Sequence, residues 1–148
     1  MDIGPYTDGS ALDGVDVFLP SEQEVVDLWG HDDPRRLGAE LRSFGPDPLV
    51  VVKRGADGVD VLDSGSVVRV PAVPIDLVDP TGAGDAFCGG FLATFVRTGD
   101  PVEAAVSGSV SASFVCETRG ALAAIGRLDP ALALARGAAL RRRLRSVA

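Results

Sequence analysis

The run Pro48-Leu49-Val50-Val51-Val52-Lys53 most limits what this chain can fold into. A strand built from it has no polar face to offer water and must be covered on both sides, the pattern of a parallel sheet flanked by helices. At 148 residues the chain fits one domain, and its 46% apolar content is enough for a core.

The segments around that run alternate in type. Residues 15–19 predict a short buried strand. Ser21 and Glu24 have capping-box spacing, which predicts a helix from Ser21 to about Gly30. A second helix is expected over 34–44. Residues 54–58, Arg-Gly-Ala-Asp-Gly, read as a turn, and 59–63 and 66–70 alternate like hairpin arms about Ser64-Gly65. Residues 71–79 should be extended, because their prolines disfavour helix. A helix is predicted from about Ala83 to Thr98. On it Phe87, Phe91 and Phe95 recur along one side, and Ala86, Gly90 and Ala93 permit close packing on another.

Residues 100–117 read as a further helix rich in Ala, Ser and Gly, with Asp100 as N-cap, Pro101 in the first turn and Glu103 completing a capping box. The last helix starts near Asp129 and ends in Arg141-Arg142-Arg143-Leu144-Arg145, read as a solvated end that suits the helix dipole. Strands alternating with helices through the first half, with one antiparallel hairpin, and helices dominating the end predict a layered α/β domain.

Bulk properties narrow the function. A net charge of −7 argues against nucleic-acid binding through a broad basic surface. Cys88 and Cys116 fit no metal or redox spacing and read as two buried thiols. Residues 1–10 lack the basic and apolar regions of a signal peptide, and no stretch approaches a membrane span. The expectation is a cytoplasmic protein without membrane attachment.

The chemistry concentrates in Asp79-Pro80-Thr81-Gly82-Ala83-Gly84-Asp85. Gly82, Ala83 and Gly84 lie where an extended segment meets a helix start. Glycines let a ligand approach the amides, and a helix N-terminus favours negative charge. The segment lacks the Gly-Lys-Ser/Thr ending of a P-loop and has Phe87 where a dinucleotide fingerprint needs glycine. An anion hole with Asp85 at its edge is left. Two readings of Asp85 stand: a dipole partner or cap in the first helical turn, or a general base that deprotonates a hydroxyl attacking a phosphoryl group while the amides hold the developing charge.

The stretch Val78-Asp79-Pro80-Thr81-Gly82-Ala83-Gly84-Asp85-Ala86-Phe87 resembles the second signature of the pfkB carbohydrate kinases, a ribokinase-like family, and differs inside it at Pro80, where the family has Thr. Residues 16–24, 50–59 and 109–121 are similar to the family's other nucleotide-side segments. The resemblance implies a ribokinase-like, Rossmann-like three-layer α/β fold and ATP-dependent phosphotransfer to a hydroxyl of a sugar or nucleoside. It implies Asp85 as catalytic base and Gly82, Ala83 and Gly84 as anion hole. Lys53, Gly55, Ala56, Gly58 and Thr81, with Gly82 and Gly84, would line the nucleotide. Glu24 would be linked to Mg2+, and Asp79 would lie near the phosphates and a monovalent cation, K+. Ser21 stands where the family has Asn, so Ser21 and Glu24 read equally as a helix cap.

The resemblance begins midway through proteins of this family. The expectation is therefore a C-terminal half whose partner is the missing N-terminal half or a second copy, because a sheet cut in two exposes a strand edge and apolar helix faces. A non-catalytic nucleotide-binding fragment, one half of a split enzyme and a degenerate remnant stand as alternatives, as does a vitamin or pyrimidine kinase of the same superfamily.

Overall fold

A computed structural model describes residues 14–42, 48–63 and 65–145. They form two compact units: the chain up to Arg54 with Val59–Val68, and Gly55–Gly58 with the chain from Arg69 onward. The N-terminal ten residues, the end of the predicted helix 34–44 and Ser64 lie outside the described residues.

The first unit is a sheet with helices. Its elements are β1 (Val17–Phe18), α1 (Glu22–Trp29), α2 (Pro34–Arg42), β2 (Leu49–Lys53), β3 (Val59–Asp63) and β4 (Ser66–Val70), and β4 runs on into the second unit. The sheet order is β1-β2-β3-β4. Ser21 starts α1 as a full capping box: its hydroxyl accepts the Glu24 N–H at 3.2 Å while Glu24 Oε2 accepts the Ser21 N–H at 2.6 Å. Gly30, at φ 74°, ends it. Val25, Leu37 and Leu41 from the two helices pack with Val50, Val52 and Leu62 from the sheet, and Phe18, Trp29 and Val67 border that core.

Val50, Val51 and Val52 are buried on both faces as expected, but the sheet is mixed. β1 runs parallel to β2, with Val17 opposite Leu49, whereas β3 is antiparallel to it, with Val51 opposite Val61. A parallel neighbour needs a crossover of about a dozen residues or more. Helices α1 and α2 supply one between β1 and β2; the Gly55–Gly58 turn is too short to supply another. β1 is also shorter than predicted and only half-buried.

β3 departs from the alternation of a hairpin arm, since Val59, Asp60, Val61 and Leu62 are all buried. Asp60 is 1% exposed. Arg54 Nε donates to its Oδ2 at 2.6 Å, and the same guanidinium donates to the Glu22 carboxylate and, at 2.6 Å, to the Asp32 carbonyl. The residue read as the start of a turn is therefore the centre of a charge network whose Arg54–Asp60 pair is buried.

The second unit is helical: α3 (Ala83–Thr98), α4 (Pro101–Cys116), a 3-10 segment (Ala121–Arg127) and α5 (Pro130–Arg145). Phe87, Phe91 and Phe95 stack along α3 with ring centroids 6.0 and 5.6 Å apart. Small residues bring α3 against α4: a Cβ on Gly90 would lie 2.3 Å from Ser111 Oγ, and one on Gly108 would lie 2.8 Å from the Phe87 ring. Ala93, expected on the packing side, is exposed.

Three local expectations are corrected. Asp100 caps α4 by accepting the Val102 and Glu103 N–H groups at 2.9 and 3.0 Å, but Glu103 completes no capping box. Both its oxygens accept from Arg141 Nε at 2.9 Å, and the Asp100 N–H donates to Thr98 Oγ1 instead. A charged guanidinium is a stronger partner for a carboxylate than a single amide. The arginine-rich end of α5 is accordingly not simply solvated, because Arg141 holds α4 and Arg143 donates to the Ala72 carbonyl. Cys88 and Cys116 form no disulfide and are half-buried, not buried.

Among the described residues, no helix is long and apolar enough to cross a membrane. Gly58 sits at φ +91°, and a Cβ there would lie 2.1 Å from the Val70 carbonyl oxygen. Gly58→Ala is expected to cost about 1–3 kcal/mol in a urea melt; an unchanged midpoint would show that the turn relaxes away from Val70.

Candidate active site

Residues 79–85 form a single turn that runs into α3. The Pro80 carbonyl accepts the Ala83 N–H at 3.0 Å. Gly82 has φ 82° and ψ 0°, the conformation of the third residue in a type II turn. Other residues enter that region only with strain. The site is also too tight for a side chain, since a Cβ on Gly82 would lie 2.6 Å from Ala121 Cβ.

This turn decides which amides face outward. The Ala83 N–H is engaged by Pro80, whereas those of Gly82, Gly84 and Asp85 meet no acceptor among the described residues. The donors open to an anion are thus Gly82, Gly84 and Asp85, with Ala83 serving the turn. Unpaired amides at a helix start, with the positive end of the dipole behind them, suit a phosphoryl group.

Asp85 is the third residue of α3 and is exposed. Its carboxylate makes no hydrogen bond among the described residues, and α3 has no side-chain cap. The capping role left open by the sequence is absent, which leaves the dipole and any incoming ligand as its partners.

Asp79 organises the turn. Its Oδ1 accepts the Thr81 N–H at 3.0 Å and its Oδ2 the Gly120 N–H at 3.1 Å. Its own N–H and that of Val78 donate to the Cys116 carbonyl at 3.1 and 2.8 Å. These donors, Thr81 first and then Gly120, hold the Asp79 carboxyl below its ordinary value. A depressed folded value stabilises the turn above the unfolded value, near pH 4, and the effect is lost as pH falls through the folded value. The Gly120 amide shift is therefore expected to titrate with a midpoint below about pH 4. A midpoint above that, or no titration, would remove Asp79 from this role.

In the first unit, the fold brings Glu24 near Lys53. Ser21 and Lys53 form an isolated parallel bridge, and the Lys53 N–H donates to the Pro20 carbonyl at 2.8 Å. The Ser21 N–H and hydroxyl, with a smaller contribution from Lys53, hold Glu24 below its ordinary value. Oε2 of Glu24 receives both Ser21 bonds at 2.6 and 2.8 Å. Gly55, Ala56 and Asp57 make one 3-10 turn, closed by the Gly58 N–H on the Gly55 carbonyl at 3.2 Å. No group of three or more His, Cys, Asp or Glu among the described residues is placed to hold a metal ion.

Sequence reasoning placed residues 109–121 on the nucleotide side by resemblance but singled out neither Gly120 nor Ala121, which contact the turn, and it missed Arg136, which holds the end of α4. The available signal was Gly120-Ala121, two small residues just past a long helix. Gly82→Ala is expected to cost about 1–3 kcal/mol and to displace Ala121. Retention of full stability in a urea melt would show that the turn at residue 82 adopts another backbone conformation without cost.

The description of the pfkB family carbohydrate kinases matches residues 8–125. A cytidine kinase of Thermococcus kodakarensis is 44% identical over 95 residues, covering 62% of this chain and 33% of the relative. A 2-dehydro-3-deoxygluconokinase of Escherichia coli is 39% identical over 109 residues, covering 71% and 35%. Among solved structures, fructokinase from Vibrio cholerae O395 with fructose, ADP and a calcium ion bound has a TM-score of 0.70 at 29% identity, covering 81% of this chain and 40% of that one. A double mutant of the same enzyme was solved with fructose, ADP and a potassium ion. The chain thus spans about a third of the length of these curated relatives.

Proposed function

Because the chain belongs to the pfkB family of carbohydrate kinases, we propose that it supplies the nucleotide-binding and catalytic part of an ATP-dependent kinase that phosphorylates a hydroxyl of a sugar or nucleoside. The observation that carries this reading is the start of α3. The amides of Gly82, Gly84 and Asp85 meet no acceptor among the described residues, and Asp85 presents an exposed carboxylate there that makes no cap.

In this reading Asp85 accepts the proton of the attacking hydroxyl as its oxygen bonds to the γ-phosphorus and the bond to the leaving ADP oxygen breaks. The amides of Gly82, Gly84 and Asp85 hold the charge spread over the transferring group. The Ala83 N–H and Asp79 fix the turn that aims them. Thr81, Lys53, Gly55, Ala56 and Gly58 line the nucleotide, as the family motifs imply. Mg2+ bound with the nucleotide neutralises phosphate charge. Glu24 would be the carboxylate linked to that ion, which would take its other ligands from phosphates and water. A K+ near Asp79 belongs to the same reading.

The test is calorimetric titration of the chain with Mg-ATP. Saturable one-site binding, weakened by Gly84→Val, is expected; a folded chain that binds no Mg-ATP would overturn the reading. A second reading is favoured by the coverage of about a third of the relatives' length: a nucleotide-binding piece that turns over only with a complementing N-terminal segment or second copy. It requires Mg-ATP binding without phosphoryl transfer by the chain alone, and transfer when the segment is added. The two named relatives differ in substrate, one a cytidine kinase and one a 2-dehydro-3-deoxygluconokinase, so the acceptor is proposed only as a class.

A further inference from the structure

We propose that Arg136, on α5, is a positioning residue for the anion-binding turn and acts through residues 117–121; its effect on nucleotide rests on the reading of that turn given above. Arg136 grips the last turn of α4 in three ways. Nη1 donates to Ser113 Oγ at 2.8 Å and Nη2 to Glu117 Oε2 at 2.6 Å. The guanidinium carbon lies 4.7 Å from the centre of the Phe114 ring. Glu117 is the C-cap of α4, so the grip falls where the helix gives way to the loop.

The loop is tied down at each following step. The Thr118 N–H donates to the Val115 carbonyl at 3.0 Å and Thr118 Oγ1 to the Phe114 carbonyl at 3.1 Å. The Gly120 N–H donates to Asp79 Oδ2 at 3.1 Å. Ala121 Cβ fills the space that a side chain on Gly82 would need. Arg136 therefore fixes the start of a short segment whose other end touches both the carboxylate and the glycine that shape the turn. A guanidinium holding two acceptors and a ring has few alternative placements, and a lysine ammonium cannot reproduce that fork.

Arg141 provides a matched comparison. It also joins α5 to α4, through Glu103, but at the first turn of α4, the end away from the loop. If α5 merely holds α4 in place, losing either arginine affects the turn equally. If Arg136 sets the loop, only its loss does.

Arg136→Met, Arg136→Lys and Arg141→Met would be compared in the same chain, well below their melting temperatures. Amide exchange at Thr118 and Gly120, followed by NMR without ligand, is expected to accelerate about tenfold in both Arg136 variants and to stay unchanged in Arg141→Met. The Mg-ATP dissociation constant is expected to rise about tenfold in the same two variants and to stay within about twofold in Arg141→Met. Should Arg136→Met fail to fold, Arg136→Lys, which keeps the charge, carries the comparison. Equal acceleration in the Arg136 and Arg141 variants, or none in the Arg136 variants, overturns the positioning role. Exchange that responds as expected in a chain that binds no Mg-ATP upholds that role and overturns the nucleotide reading instead.

Discussion

Asp85→Asn is expected to slow phosphoryl transfer by about 10²–10⁴-fold, the usual contribution of a positioned general base. Asparagine keeps the size and the helical conformation of the residue and removes only its basicity. The variant is expected to bind Mg-ATP as well as the original chain or slightly better. A carboxylate beside three outward amides opposes the negative phosphates, and its removal relieves that repulsion. The pair of effects separates a base from a binding residue, which would lose affinity. The measurement is turnover with a panel of sugars and nucleosides, on the chain alone and with a complementing N-terminal segment, alongside calorimetric titration. Transfer within tenfold of the original would end the assignment of Asp85 as base. The carboxylate would then be a dipole partner of α3 and nothing more.

The second large effect belongs to Arg54 and Asp60. Arg54→Ala is expected to destabilise the first unit by about 3–5 kcal/mol, because it takes the guanidinium partner from a carboxylate that has almost no contact with water. The pair itself adds little net stability, since desolvating two charges offsets much of their attraction. The double replacement Arg54→Met with Asp60→Leu is therefore expected to recover most of the loss. Trp29, the chain's one tryptophan, borders the same core, and its fluorescence in a urea titration reports on this unit. A single-variant loss below about 1 kcal/mol would mean that the Asp60 carboxylate stays satisfied without Arg54.

These two predictions differ in how far the sequence led to them. Asp85 could be singled out from the sequence because the pattern around it is contiguous: the glycines, the helix start and the acid lie within a few residues and act through local backbone geometry. Arg54 looked like the first residue of a turn, because the need to neutralise Asp60 arises only when β3 is buried on both faces. The amides of the glycine turn show both levels at once. The sequence pointed to Gly82, Ala83 and Gly84; the structure adds that the Ala83 N–H is engaged by the Pro80 carbonyl, whereas those of Gly82, Gly84 and Asp85 meet no acceptor among the described residues.

The sequence by itself determined the helix starts at Ser21 and Asp100, the full span of α3, the buried valines of β2 and the family. Each depends on residues close together in the chain, where capping, apolar runs and glycine conformations act without help from distant segments. Only the tertiary structure decided the antiparallel return of β3, the diversion of Glu103 to Arg141, the contacts of Asp79, Gly120 and Ala121 with the glycine turn, and those of Arg136 with the end of α4. A charged or small side chain has many candidate partners along the sequence, and the choice among them is made by which segments packing brings within hydrogen-bond reach.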